Sequence, residues 1–168
     1  MESARRARSE DREAIAALVE AACRDVEGVR GGALLVASQE RLGRRIGVAE
    51  ANEEATAHVA AAGGDGSDGR CVVVGTVDDV TVGVGAAEVD VMGSARVATI
   101  GLLYVEPAAR GVGVGELMLA ELQAWSAAQG CTGVDVPVLP GDRATKSFLE
   151  GNGYVARLLT LHREICHP

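Results

Sequence analysis

Apolar residues near the start of the chain recur at three- and four-residue intervals. Ile15, Leu18, Val19, Ala22 and Val26 share one side of a helix, which is the amphipathic pattern of an element packed on a core. Glu10, Asp11 and Glu13 suit its first turn, where the helix dipole favours negative charge. Ser9 is the expected N-cap, and Gly28, Gly31 and Gly32 end the helix. Residues 2–8 read as a short edge strand ahead of it. The segment Ala33–Arg45 follows neither period, and a second helix is expected over about Val48–Ala62, before a loop at Gly63–Gly69. From Cys71 the pattern turns valine-rich. Cys71–Val77 and Val80–Val91, separated by Asp78-Asp79, predict an antiparallel hairpin of strands two and three. Val97–Val105 is strand four. A helix follows to about Gln129, with Met118, Leu122 and Trp125 on one face and Gly130 as its stop. Val134–Leu139 reads as strand five, Arg143–Asn152 as a last helix and Tyr154–Ile165 as a closing strand. The order is helices, antiparallel strands, then strand–helix–strand–helix–strand. It predicts one mixed α/β domain of the α+β type without internal repeats.

Composition narrows the choices. A chain of 168 residues suits one ordinary domain. Aromatics make up only 2%, so the core must be built from Val, Leu, Ile and Ala. The net charge of −8 argues against nucleic-acid binding, which needs cations to neutralise phosphates. An acidic surface that keeps the protein soluble is the plainer reading of that charge, with a mild preference for cationic partners as the alternative. Cys23, Cys71, Cys131 and Cys166 form no C-x-x-C pair, so neither a zinc site nor a disulfide framework is expected, and no metal. No apolar run reaches membrane-spanning length and no signal peptide opens the chain, so a soluble cytoplasmic protein is expected.

The segment Val105-Glu106-Pro107-Ala108-Ala109-Arg110-Gly111-Val112-Gly113-Val114-Gly115 lies between a strand and an amphipathic helix. Glycines at 111, 113 and 115 let a ligand approach the backbone, and the N–H groups there open a helix whose dipole favours an anion. A phosphate or pyrophosphate site and a plain tight turn both satisfy this pattern. A P-loop needs Gly-Lys-Ser/Thr, whereas Gly115 precedes Glu116 and Leu117. A Rossmann-like nucleotide binder would use Asp135 about 20 residues on. Its glycine loop, however, follows the first strand of a parallel unit, and here antiparallel strands come first.

Arg110-Gly111-Val112-Gly113-Val114-Gly115 resembles the Arg/Gln-x-x-Gly-x-Gly/Ala signature of the GNAT superfamily of acetyl-CoA-dependent N-acetyltransferases. Leu103-Tyr104-Val105-Glu106-Pro107 resembles the end of that family's fourth strand. The run from Asp142 to Gly153-Tyr154 resembles its following helix, and Arg5–Asp11 its opening strand and helix. The resemblance implies a mostly antiparallel central sheet flanked by helices and splayed between strands four and five. It implies acetyl-CoA as co-substrate, with the pantetheine arm along the main chain of Leu103, Tyr104 and Val105. The pyrophosphate would lie on Arg110, Gly111, Val112, Gly113, Val114 and Gly115. Asp142 stands where the family commonly has an asparagine touching pantetheine, and an ionised aspartate cannot donate that hydrogen bond. A Val105 N–H would polarise the thioester carbonyl. The acceptor would be a small-molecule or peptide amine, and a homodimer, common in the family, stays open.

Two positions depart from the family pattern. Leu149 stands where many relatives carry a tyrosine that protonates the thiolate, and Thr99 where many carry a glutamate that takes the amine proton. Glu88 and Asp90 are the replacement candidates, since alternation puts both on one face of strand three, the face expected to carry Val80, Val82 and Val84. Either could act as base or bind the substrate ammonium, and either could be a solvated strand-end charge. His162 and His58 are weaker candidates. A catalytically silent acyl-CoA-binding regulator is the alternative function.

Overall fold

The structure, a computed structural model, describes residues 1–37 and 69–163. The expected helix at 48–62, most of the loop before Cys71, and His58 lie outside the described residues. Strands β1 (Glu2–Arg6), β2 (Arg70–Val77), β3 (Val80–Met92), β4 (Ala95–Val105) and β5 (Gly133–Asp135) form one sheet in the order β1-β2-β3-β4-β5. The first three pairings are antiparallel and β4–β5 is parallel. Helices α1 (Arg12–Val26), α2 (Val114–Ala128) and α3 (Arg143–Gly151) complete the described elements, and residues 32–37 are also helical.

Each sheet face carries its own core. On one face Val72, Val74, Val84, Ala86 and Leu102 meet Ile15, Leu18 and Ala22 of α1. On the other, Cys71, Val73, Ala87, Ala98 and Ile100 meet Met118, Leu119, Leu122 and Trp125 of α2. Glycine permits the close approach of α2. A Cβ at Gly75 or Gly83 would lie 2.5 or 2.7 Å from the Met118 sulfur, well inside van der Waals contact.

Several expectations are corrected. Ser9 does not cap α1: a one-turn 3-10 helix at Ser9–Asp11 intervenes, and α1 starts at Arg12. Asp11 is the organiser, accepting from the Arg8 N–H at 2.7 Å and from both ends of the Arg5 fork at 2.7 and 2.8 Å. Val82 does not share a face with Glu88. The β2–β3 register shifts between Gly75 and Thr76, leaving Val82 as an extra residue that joins the α2 core, while Val80 is exposed. Strand five stops at Asp135 rather than Leu139, because Pro137 has no N–H to donate to a ladder. The closing strand is absent over 154–163, where the chain forms neither helix nor strand. A three-residue β5 offers that segment few ladder positions.

Candidate active site

Strand β4 is flanked by β5 only along Val97–Thr99, paired with Gly133–Asp135. Past Thr99 its outer edge has no strand partner among the described residues. A splay therefore opens beside Leu103, Tyr104 and Val105. Main-chain groups on that edge can receive an extended ligand arm by hydrogen bonding, much as a strand would.

The glycine loop closes the wide end of this splay. Pro107–Ala109 make one 3-10 turn, and α2 begins at Val114 with Gly113 as N-cap. Gly111 and Gly113 take φ values of +81° and +95°, a left-handed conformation that glycine adopts without Cβ strain. A Cβ at either would meet nothing within 4 Å, so the loop surface is open. The helix ladder starts with the Leu117 N–H on the Gly113 carbonyl, 3.2 Å away. The N–H groups from Gly113 to Glu116 precede that ladder and form the positive end of α2. Gly115 turns inward, where its Cβ would touch the Phe148 ring at 3.6 Å, so the loop rests on α3.

Two predicted site residues are already engaged within the protein. Arg110 Nε donates to the Val105 carbonyl at 2.8 Å, and its guanidinium lies against Asp25 and over the Tyr104 ring. Asp142 is the N-cap of α3, its carboxylate accepting from the Thr145 N–H at 3.0 Å. Leu149 is buried in the α2-face core. Tyr154 packs against that core with its hydroxyl accepting from Gln123 at 3.1 Å. The Cys71 thiol, fully buried and pushed up by that burial to about 12, is no nucleophile.

On the α1 face, β3 and β4 bring the acceptor-side candidates together. Glu88 is opposite Thr99, and the Thr99 hydroxyl donates to Asp90 at 3.0 Å. Asp135 of β5 is level with Thr99 on its other side. The Asp135 carboxylate takes both ends of the Arg157 guanidinium, with Nε at 2.9 Å. His162 lies in the exposed segment after α3. Sequence reasoning missed Asp25, Asp135 and Arg157 as parts of this region. The signal for Asp25 was present, since it follows Ala22 by three and continues the sheet-facing stripe of α1.

Residues 38–154 match the family model described as Acetyltransferase (GNAT) family. The chain belongs to the GNAT acetyltransferases. Among solved structures, AAC(6')-Iy in complex with the bisubstrate analogue CoA-S-monomethyl-acetylneamine is 17% identical, with a TM-score of 0.63 and 99% of each chain covered. A Trypanosoma brucei acetyltransferase is 16% identical, with a TM-score of 0.62 over 98% of this chain and 100% of its own. A transcriptional regulator from Bacillus halodurans is 18% identical, with a TM-score of 0.63 over 98% of this chain and 100% of that one. At these identities the likeness is one of fold. No curated protein matches the sequence. The splayed, mostly antiparallel sheet is the GNAT arrangement expected from the sequence. Among the described residues no helix is long and apolar enough to cross a membrane, and no cluster of His, Cys, Asp and Glu could hold a metal ion.

Proposed function

We propose that this GNAT protein moves an acetyl or short acyl group from acyl-CoA to a primary amine by direct attack. The observation that carries the reading is the unpaired edge of β4 past Thr99, running into an open glycine loop at the positive end of α2. Leu103, Tyr104 and Val105 would flank the pantetheine arm through main-chain atoms. The N–H groups from Gly111 through Val112 and Gly113 to Val114 and Gly115 would receive the pyrophosphate. That a relative of the same fold was crystallised with a CoA bisubstrate analogue supports the donor.

Asp90 is the base this reading selects. The Thr99 hydroxyl points to the Asp90 carboxylate, so a carboxylate from β3 serves the spot where relatives carry a strand-four glutamate. An alkylammonium and a carboxylic acid titrate about 6 pH units apart, so a carboxylate is in general a poor base toward a free ammonium. The amine enters neutral, its nitrogen attacks the thioester carbon, and the C–O π electrons move to oxygen. The nitrogen of that adduct is far more acidic, and Asp90 takes its proton directly or through one water. Collapse re-forms the carbonyl and breaks the C–S bond, and the thiolate takes a proton from water. Glu88, two ladder positions away on the same face, would hold the charged parts of the acceptor.

A screen for thiol release from acetyl-CoA against polyamines, aminoglycosides, amino acids and peptide N-termini tests the reading. Amine-dependent release that Asp90→Asn suppresses supports it. The second reading, a silent CoA-binding regulator, is favoured by Leu149 lying in the core where relatives place an acid. Tight CoA binding with no release on any amine would establish that reading instead.

A further inference from the structure

Arg110 occupies the family position at the mouth of the phosphate loop, yet its guanidinium is committed elsewhere. Nε donates to the Val105 carbonyl at 2.8 Å, and Nη2 lies 3.4 Å from Asp25 Oδ2. Its central carbon stands 5.5 Å from the Tyr104 ring centroid, within cation–π range. The Tyr104 hydroxyl faces Asp25, and burial together with that carboxylate holds the phenol above its ordinary range. Asp25 comes from the last turn of α1, which packs on the opposite sheet face from α2. The cation of Arg110 is thus directed to the α1 side and balanced there by a carboxylate.

We propose that Arg110, Asp25 and Tyr104 form a clamp that positions the end of β4 for the pantetheine arm, with Arg110 acting on the main chain rather than on the phosphates. The inference rests on the acyl-CoA reading above. Its physical content is that Val105 has its carbonyl tied to Arg110, which sets the peptide planes that flank the arm. Small errors in such planes are costly, because a bound chain pairs with several of them at once. Asp25 and Tyr104 are positioning residues that act through Arg110. The ion pair itself contributes little to fold stability, since the Arg110 and Asp25 side chains are 53% and 48% exposed.

The clamp makes a prediction opposite to simple electrostatics. CoA is a polyanion, so removing a nearby anion should tighten it. If Asp25 aligns Arg110, Asp25→Asn weakens CoA instead, by about tenfold, and Tyr104→Phe does the same. Both should keep the parent melting temperature within about 2 °C, because Asp25 is half exposed and Tyr104→Phe leaves the packed ring in place. Arg110→Gln should weaken CoA while leaving the slope of log Kd against log salt as in the parent, because no phosphate contact is lost. Arg110→Lys should fail to rescue, since it lacks Nε and the flat face over Tyr104. Titration of CoA into each variant across a range of NaCl concentrations reads all of this. Tighter CoA binding by Asp25→Asn, unchanged binding by all variants, or a flattened salt slope in Arg110→Gln overturns the clamp while leaving the acyl-CoA reading intact. A parent protein that binds no CoA overturns both.

Discussion

Two glycines at opposite ends of α2 separate the ligand role of the loop from its backbone geometry. Gly113 caps the N-terminus at φ +95°, and Gly130 follows the C-terminus at φ +72°. A Cβ at either meets nothing within 4 Å. Alanine at each site therefore costs only the strain of a left-handed backbone, about 1–2 kcal/mol. For a chain of this size that lowers Tm by about 2–8 °C in both variants. CoA at one hundred times its Kd stabilises a folded protein by about 2.7 kcal/mol, or about 5–11 °C. Should the Gly113 methyl hold the pyrophosphate off the helix N–H groups, a tenfold loss of affinity removes about 1.4 kcal/mol of that gain. The CoA-induced shift of Gly113→Ala should then be about half that of Gly130→Ala, although the two unliganded proteins melt alike. Thermal melts of both variants with and without CoA read the difference. Equal CoA shifts would refute the assignment of this loop to the pyrophosphate, and a small shift in both would mean that backbone strain alone governs binding.

Asp90→Asn should lower kcat/KM for an accepted amine by about tenfold or more, about 1.4 kcal/mol of transition-state stabilisation, with CoA affinity unchanged. Steady-state kinetics would retire the assignment if the ratio stayed within twofold. Leu149→Ala should cost about 2–5 kcal/mol of stability as a core truncation, yet leave kcat per folded molecule within a few-fold, as denaturant unfolding and active-site titration can check. A much larger kcat loss in folded enzyme would mean that Leu149 touches the reacting atoms. Burial pushes the Asp11 carboxyl up, but the Arg5 fork and the Arg8 N–H outweigh it and hold it below its ordinary 3.8. That stabilisation is complete above about pH 4 and is lost as pH falls through the depressed folded value. Denaturant unfolding against pH should show a loss in the parent over that window and a flatter profile in Asp11→Asn, already weaker at pH 7. Parallel profiles would remove Asp11 from the account.

The long periodic elements were legible because each satisfies one period throughout. The stripe Ile15–Leu18–Ala22 and the row Met118–Leu122–Trp125 proved to be the two helix faces that cover the sheet. The glycine loop was legible as a turn because its geometry is local, a strand ending beside a helix start. Non-local features were not. The Arg5–Asp11 fork displaced the Ser9 cap, and it is an interaction between β1 and the chain six residues on. The short β5 was readable in principle from Pro137, though a valine-rich stretch outweighed it. The segment 154–163 is rich in strand-forming residues, but strands need a partner edge, and that depends on β5. Asp135 and Arg157 are 22 residues apart and only the folded chain brings them together.

A single irregularity explains why acceptor chemistry and clamp fall on the same side of the sheet. By strict alternation Thr99 and Tyr104 would point to opposite faces, being five residues apart. The β3–β4 register pairs Ala86 with Leu102 and Ala87 with Ile100, so Gly101 is an extra residue on β4. That bulge reverses the parity of everything after it. Thr99 stays level with Glu88 on the α1 face, and Leu102 and Tyr104 join the α1 core. The bulge also lies just past the last β4–β5 pair, at Thr99–Asp135, where the edge of β4 becomes free. One extra glycine thus sits where the β4–β5 pairing ends, and it brings the Tyr104–Asp25–Arg110 group to the same side of the sheet as the Asp90–Thr99 pair. An amine approaching from the α1 face would meet carboxylates first and the thioester behind them. Deleting Gly101 would flip the rest of β4, sending Leu102 out of the α1 core and Tyr104 away from Asp25. The protein should then lose its α1-face packing together with CoA binding, rather than either alone.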